Sequence, residues 1–150
     1  MREILFRGKS DLLGWVEGWY CPEVKWGEHN FPVGITHKTK EGWLDDVVVI
    51  PETIGQFTGL TDKNGTKIFE GDVVKAVIVR DLGGGTQNRE EAGIIGYDKI
   101  GMIGLIAKYA GTIPVWSDFF QELTLSGCID DFWFEVIGNI HDNPELLENT

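Results

Sequence analysis

The residue types that most often carry chemistry are sparse in this 150-residue chain, and few of them are suggestively spaced. Glu23-Val24-Lys25 has the E-x-K spacing of a metal-dependent nuclease strand, and Asp11 upstream supplies a possible second ligand. Three residues at that spacing are common by chance, and a solvated ion pair of Glu23 with Lys25 is the simpler interpretation. A small metal-dependent enzyme acting on nucleic acid is therefore kept only as an alternative.

Histidines, glycines and serines give no stronger catalytic signal. The three histidines share no i, i+4 spacing with one another, so a metal site would need long-range convergence of His29, His37 and His141. The glycine run 83–85 is followed by neither Lys-Ser nor Lys-Thr, which a phosphate-binding loop requires. No serine lies in a G-x-S-x-G elbow, whether Ser10, Ser117 or Ser126. The sequence predicts no catalytic residue, no metal ligand and no cofactor-binding residue.

The charge of the chain is strongly negative and unevenly spread. The formal net charge is −11 at pH 7, and no Lys or Arg follows Lys108. Eight acids do follow it: Asp118, Glu122, Asp130, Asp131, Glu135, Asp142, Glu145 and Glu148. Such a field repels nucleic-acid phosphates, so we expect no direct binding to nucleic acid. The acids keep a small protein in solution, or they imitate phosphate spacing as a DNA mimic.

Cysteine usage and hydropathy bear on the compartment. Cys21 and Cys128 are far apart and form no C-x-x-C pattern, which predicts reduced thiols without a disulfide or a zinc site. No window approaches the length of a membrane-spanning helix, and charges interrupt the N-terminal stretch where a signal peptide would be apolar. We expect a protein of the cytoplasm with no membrane contact.

The most regular stretch of the chain is Thr53–Lys75, which has the pattern of two strands joined by a turn at Asn64-Gly65. A second turn at Glu70-Gly71-Asp72 precedes the apolar run Val73–Val79. A strand that is apolar on both faces is usually covered on both sides, so we place this run in the middle of the fold or in a barrel wall. The Glu70-Gly71-Asp72 segment is interpreted as a structural turn, with an exposed acidic tip for a partner as the alternative.

Alternation and turn residues predict further strands at Glu3–Arg7, Trp15–Tyr20, Trp43–Ile50, Ala92–Tyr97, Ile100–Ala107 and Asp131–Ile137. Residues 21–41 are predicted to be an irregular insertion, with 31–36 as a possible short strand, and residues 81–91 to be a long hairpin loop. The glycine spacing in 93–104 suits bulges or bending. Helical turns are predicted over Phe119–Leu123 and from Asn143-Pro144-Glu145.

These elements predict a mainly β fold in a single domain over residues 1–150. It would contain an N-terminal hairpin region, 1–50, and a central hairpin with a barrel-like sheet, 51–150. The sheet would be a strongly bent antiparallel sheet or an SH3-like small barrel, with short helical turns near the C-terminus. The six tryptophans are predicted to lie in the core or to cover it, with a protein-binding or stacking patch as the alternative: Trp15, Trp19, Trp26, Trp43, Trp116 and Trp133.

Three blocks of the sequence resemble the YopX family of bacteriophage and prophage proteins: the opening Arg2–Gly8, the central Thr53–Lys75 and the closing Glu135–Leu147. The resemblance implies a phage or prophage origin. The family has no established biochemical activity, so it transfers no catalytic residue. Because catalytic spacing is lacking and the aromatic content is high, we expect a phage accessory protein that binds or regulates another protein of host or phage. A homo-oligomer is also compatible with the sequence.

Overall fold

The computed structural model describes residues 3–81, 83–97, 103–107, 111–114 and 131–148. The strands are β1 Phe6–Ser10, β2 Gly14–Cys21, β3 Val24–Trp26, β4 His29–Phe31, β5 Gly34–Lys38, β6 Leu44–Val48, β7 Gly55–Thr61, β8 Lys67–Phe69, β9 Asp72–Asp81, β10 Thr86–Tyr97, β11 Ile103–Ala107, β12 Gly111–Pro114 and β13 Asp131–Asn139. The predicted mainly β, antiparallel fold is confirmed. Within the described residues the sheets are open, so the SH3-like barrel was the wrong one of the two predicted forms.

The chain divides into two compact units, Met1–Phe57 and Thr58–Thr150. In the first unit the strands are hydrogen-bonded in the order β6-β5-β2-β1-β7. The predicted first hairpin is present as β1 and β2, which pair from Phe6 opposite Gly18 to Ser10 opposite Gly14. One face of this sheet buries the apolar cluster Val16, Ile35, Val47 and Val49.

The end of β6 is fastened to β1 by a short turn. A 3-10 helix covers Pro51–Thr53 and begins at a proline, which has no amide hydrogen to continue a strand ladder. The Ile50 amide donates to the Lys9 carbonyl at 2.8 Å. The Thr53 hydroxyl accepts from the Lys9 amide at 2.8 Å and donates to the Ile50 carbonyl at 2.6 Å. These bonds hold the segment after β6 against β1.

Residues 21–41, predicted to be an irregular insertion, contain the hairpin β3–β4 and the whole of β5, so that prediction was wrong. All six residues of β3 and β4 are exposed. A hairpin with no buried face shows no apolar alternation, and alternation is the main sequence signal for a strand. The expected short strand at 31–36 falls partly on β5, which buries Gly34 and Ile35.

The second unit is built on a five-stranded sheet in the order β12-β11-β10-β9-β13. Strand β9 lies between β10 and β13, and its residues Val73, Val74, Ala76 and Val77 are buried. The prediction that the run Val73–Val79 lies in the middle of the fold is confirmed. Val73 and Val74 point to opposite faces of the sheet and both are buried, so both faces of β9 are covered at its beginning, as its apolar run predicts.

The turn at Asn64-Gly65 joins β7 to β8 as predicted, but it is not a two-residue turn with a positive φ at both residues. Only Gly65 has a positive φ, 82°. The Asp62 amide donates to the Thr66 carbonyl at 2.8 Å, and the Gly65 amide donates to the Asp62 carbonyl at 3.0 Å. The loop therefore has three residues, 63–65, with a left-handed glycine in its last position, which is the next most common hairpin connection.

The long loop predicted over residues 81–91 is shorter in the structure, because β10 begins at Thr86 opposite Asp81. Polar residues can extend a hairpin when main-chain bonds to the neighbouring strand hold them, even without apolar alternation. The pairing of β10 runs without a register shift past Gly93 and Gly96, so these glycines do not mark bulges. The irregularity lies in β13, between Val136 and Gly138.

Near the C-terminus, a single helical turn, α1 Glu145–Glu148, follows the segment predicted to start a helix. The Leu146 amide donates to the Asn143 carbonyl at 3.1 Å. The helix predicted over Phe119–Leu123 lies outside the described residues. In the part of the chain that the structure describes, no helix combines the length and apolar character needed to cross a membrane.

Candidate functional site

The residues considered for metal-dependent chemistry are dispersed along the chain, and all of them are exposed except His37 and His141, which are half-buried. Asp11 lies in the turn between β1 and β2, Glu23 precedes β3, and Lys25 lies within β3. His29 lies on β4, His37 on β5 and His141 beyond β13. Among the described residues, no three side chains of His, Cys, Asp or Glu are grouped so as to hold a metal ion. The geometry therefore gives the E-x-K hypothesis no support.

The serine and glycine candidates have structural roles where they are described. Ser10 is buried, and its hydroxyl oxygen accepts from the amides of Leu12 and Leu13 at 3.3 and 3.4 Å. The Gly83 amide donates to Asp81 Oδ1 at 2.8 Å, which closes the tip between β9 and β10. Ser117 and Ser126 lie outside the described residues.

The Glu70-Gly71-Asp72 segment is a structural turn, and its alternative interpretation as an exposed acidic tip was wrong. The Asp72 side chain is 1% exposed, and its Oδ2 accepts from the Phe69 amide at 2.8 Å. Gly71 has a φ of 83°, a conformation that residues with a Cβ rarely adopt. The carboxylate therefore stabilises its own turn instead of facing solvent.

Asp62 is a second buried carboxylate with a structural task. Its Oδ1 accepts from the amides of Asn64 and Thr66 at 2.8 and 2.9 Å, and its Oδ2 accepts from the Val136 amide at 3.1 Å. Burial acts to raise the pKa of Asp62, but the three amides favour the charged form more strongly, so its pKa is lowered. This side chain ties the β7–β8 turn to β13.

One of the late acids, Glu135, is paired with lysines of the second unit. Glu135 lies 3.2 Å from Lys63 Nζ and 3.5 Å from Lys75 Nζ. The hydrogen bond and charge of Lys63, followed by the charge of Lys75, lower the pKa of Glu135. Asp118, Glu122 and Asp130 lie outside the described residues, so the DNA mimic stays a hypothesis, with one of its carboxylates already neutralised by lysines.

The prediction that the tryptophans lie in or over the core was wrong for three of them. Trp19, Trp26 and Trp43 are 55%, 77% and 75% exposed. Trp15 lies under the Arg7 guanidinium, whose central carbon is 4.7 Å from the ring centroid. Trp133 is half-buried, and Trp116 lies outside the described residues. The alternative interpretation, an exposed aromatic patch, gains support from the first unit.

Strand register places several exposed apolar side chains on one side of the first unit. Trp19 pairs with Thr36, which pairs with Asp46. Side chains directly opposite in an antiparallel pair share a face, as do residues two apart on one strand. This face, opposite to the buried cluster, therefore also carries Cys21, Leu44 and Val48. Leu44 and Val48 are exposed like Trp19.

The β3–β4 hairpin adds more apolar side chains beside this face. Val24 pairs with Phe31 and Trp26 with His29, so Val24, Trp26 and Phe31 lie on the same side of the hairpin. A cavity of about 400 Å³, here called the hairpin groove, is lined by Cys21, Pro22, Val24, Phe31, Pro32, Gly34, Asp46, Val47 and Val48. We use "apolar surface" for Trp19, Val24, Trp26, Phe31, Leu44 and Val48.

A chain of polar side chains anchors the wall of the hairpin groove. The Thr36 hydroxyl donates to Asp46 Oδ1, and its oxygen lies 2.8 Å from Cys21 Sγ. Because the Thr36 proton is engaged by Asp46, the thiol is the donor in the second contact. Cys21 therefore donates the first hydrogen bond in a series, from Cys21 to Thr36 to Asp46, that links β2, β5 and β6. The arrangement is not that of an activated nucleophile, which requires an adjacent base.

Strand β6 leaves one edge open among the described strands, because it ends the order β6-β5-β2-β1-β7. A second cavity of about 430 Å³ lies along this strand, and we call it the edge groove. It is lined by Ser10, Asp11, Leu12, Leu13, Asp45, Asp46, Val47 and Val48. The groove brings the β1–β2 turn and β6 together, which sequence separation alone did not reveal.

Sequence reasoning left an aromatic patch open as an alternative but did not place it in residues 21–48. The signal that was available is the number of large apolar residues in a segment with few buried positions: Trp26, Phe31 and Trp43 in a stretch rich in charge, proline and glycine. Aromatic residues in such a segment have no apolar face to join, so they remain at the surface. An unassigned aromatic-rich segment is thus itself an indication of a surface patch.

The fold and this surface define the class of protein: antiparallel sheets without an assembled catalytic centre among the described residues, and an apolar surface next to an open strand edge. The family model described as YopX protein matches residues 23–148 of the chain. The chain therefore belongs to the YopX family, as its resemblance implied. The match begins after the opening stretch Arg2–Gly8, whose likeness to the family stays a prediction. The comparison with curated proteins finds no match.

Proposed function

We propose that this protein is a phage-encoded accessory protein of the bacterial cytoplasm that acts by binding another protein through the apolar surface of its first unit. The observation that carries the proposal is the exposure of Trp19, Trp26 and Phe31 in the first unit, together with the hairpin groove that Phe31 lines. Contiguous exposed apolar side chains rimmed by polar ones are typical of protein-interaction sites. Tryptophan is also among the residues that contribute most binding energy at interfaces.

Two further features support a protein as the partner. The net charge of −11 opposes binding to nucleic acid. The hairpin groove is lined mostly by apolar residues, among them Val24 and Phe31 of the β3–β4 hairpin and Val48 of β6, which suits an apolar side chain of a polypeptide inserted between these strands. Among the described residues, no observation favours the metal-dependent enzyme or the DNA mimic over this function.

The proposal is tested by affinity capture from lysate of a bacterium that carries the gene. We expect the wild-type chain to retain the same partner in replicate experiments. Trp26→Ser should reduce retention of that partner about tenfold or more, because a central aromatic anchor contributes about 2 kcal/mol or more at an interface. Ile137→Ser, which changes an exposed apolar residue of the second unit, is the matched control and should retain the partner.

Two results would contradict the proposal. One is the absence of any reproducible partner for the wild-type chain together with a monomer in light scattering. The other is a partner retained equally by wild type, Trp26→Ser and Trp19→Ser, which would place the interaction on another part of the chain.

A further inference from the structure

We infer that the open edge of β6 binds an extended polypeptide segment in which apolar and basic side chains alternate, adding it as a further strand. This inference rests on the proposed function and specifies the partner's chemistry and mode of binding. Addition of a strand to a sheet edge is a common way to recognise a peptide: main-chain bonds provide affinity, and side-chain pockets provide specificity.

The main-chain groups that would bind the segment follow from the ladder between β5 and β6. The Thr39 amide donates to the Trp43 carbonyl at 2.8 Å, and the Val49 amide donates to the Val33 carbonyl at 3.3 Å. Hydrogen-bonded and non-bonded pairs alternate along an antiparallel ladder. Odd-numbered residues of β6 therefore point their main-chain groups at β5. Leu44, Asp46 and Val48 point theirs at the open edge.

The next bond along the chain agrees with this assignment. Ile50, the next even-numbered residue, points its amide away from β5 and donates it to the Lys9 carbonyl at 2.8 Å. The main chain thus already forms one hydrogen bond on this side, just beyond the end of β6. An incoming strand would form further hydrogen bonds of this kind along Leu44–Val48, where the described residues provide no neighbouring strand.

The edge groove next to this edge can receive the segment's side chains. Leu12 and Leu13, in the β1–β2 turn, are 92% and 59% exposed and form its apolar wall with Val47 and Val48. A bound strand directs alternate side chains to opposite faces. Every second side chain of the segment would therefore contact this wall, which selects apolar residues at those positions.

The charge of the edge groove predicts which side chains occupy the other positions of the bound segment. Three carboxylates line the edge groove, those of Asp11, Asp45 and Asp46, and its lining contains no Lys or Arg. A second copy of this chain is disfavoured as the occupant, since two β6 strands side by side would bring Asp45 and Asp46 of both copies together. Lysine or arginine side chains on the incoming strand would complement the three acids.

The first test is selection of random twelve-residue peptides, displayed on a surface, against the full chain. We expect the selected peptides to alternate β-branched or aromatic residues with Lys or Arg. The charge-reversed variant Asp11→Lys, Asp45→Lys should lose these peptides and select acidic ones. Selected sequences without basic enrichment, or an unchanged preference in the variant, would overturn the assignment of the occupant.

The second test addresses the main chain with a peptide from the first selection. Val48→Pro removes one amide that points at the open edge, and proline is tolerated on an edge strand at such a position. Its affinity for the labelled peptide should fall about fivefold or more, as expected for loss of a hydrogen bond. Val48→Ala, which truncates the same side chain but keeps the amide, should bind more tightly than Val48→Pro. Circular dichroism verifies that both variants are folded.

The outcomes separate this inference from the function on which it rests. If the captured partner binds Val48→Pro as well as Val48→Ala, edge addition is wrong, whereas binding through the apolar surface stands if Trp26→Ser still abolishes capture. If Val48→Pro instead abolishes self-association of the chain, the occupant is a second copy and the basic segment is wrong. Failure of the wild-type chain to capture any partner contradicts the proposed function first.

Discussion

The two units use the same residue types for different purposes. In the second unit, Phe69 is 1% exposed and the carboxylates of Asp62 and Asp72 accept hydrogen bonds from main-chain amides. In the first unit, Phe31 is 54% exposed and Asp45 faces solvent beside an open strand edge. These three residues of the second unit contribute to internal structure, while Phe31 and Asp45 of the first unit lie at the surface.

This difference teaches where selection for function is to be sought in a protein with no catalytic motif. A buried carboxylate bonded by amides lowers the free energy of the folded chain and is unavailable to a partner. Exposed tryptophans contribute little to folding, because most of their surface stays in water. Folding alone therefore does not account for these exposed tryptophans, whereas an interaction with a partner does.

The comparison is tested most strongly by truncating one phenylalanine in each unit. Phe69→Ala should reduce the free energy of unfolding by about 3–5 kcal/mol, because it removes a fully buried ring and leaves a cavity. Phe31→Ala should change it by about 0.5 kcal/mol or less, as is usual for a surface position. Urea unfolding followed by circular dichroism measures both. A loss for Phe31→Ala equal to that for Phe69→Ala would mean that the hairpin groove is part of a core.

A smaller effect is expected at Asp62. In Asp62→Asn, one oxygen can still accept from Asn64 and Thr66, but the new amide group would face the Val136 amide as a second donor. We expect a loss of about 1–3 kcal/mol at pH 7, the usual cost of an unsatisfied buried partner. Glu90→Gln, at an exposed position of β10, is the control and should be nearly neutral.

The same variant shows a defined pH dependence. The pKa of Asp62 is lower in the folded chain than its ordinary value of 3.8, so the unfolded chain takes up this proton more readily. The stability contributed by the carboxylate is complete above the unfolded pKa and is lost as pH falls through the folded pKa. The stability difference between wild type and Asp62→Asn should thus shrink below about pH 4. A difference that stays constant to pH 2 would show that the charge of Asp62 is not involved.

The fold class could be predicted from the sequence because its strongest signals are local. The alternation before Asn64-Gly65 and the apolar run Val73–Val79 each reflect the geometry of a few neighbouring residues. The hairpin β3–β4 and the beginning of β10 could not be predicted in this way. The side chains of β3, β4 and residues 86–90 are exposed and show no apolar alternation, and main-chain pairing holds these segments in strands.

The candidate site was predictable only in outline. The aromatic content indicated a possible patch, but the grooves depend on contacts between distant segments, as when the turn at Leu12 and Leu13 meets β6. The sequence also could not predict that the carboxylates of Asp62 and Asp72 accept hydrogen bonds inside the fold. An acid near a turn glycine has the same sequence pattern whether its carboxylate points inward or outward. Tertiary packing decides between these outcomes, and one sequence does not contain it explicitly.

The most direct test of the account is photo-cross-linking with a benzoyl-phenylalanine residue placed at single positions in the full chain. The positions are Trp26 on the apolar surface and Thr66 in the exposed β7–β8 turn of the second unit. In bacterial lysate, the account predicts a cross-link from position 26 to the same protein that affinity capture retains, and none from position 66. Cross-linking of that protein from position 66 but not from position 26 would contradict it.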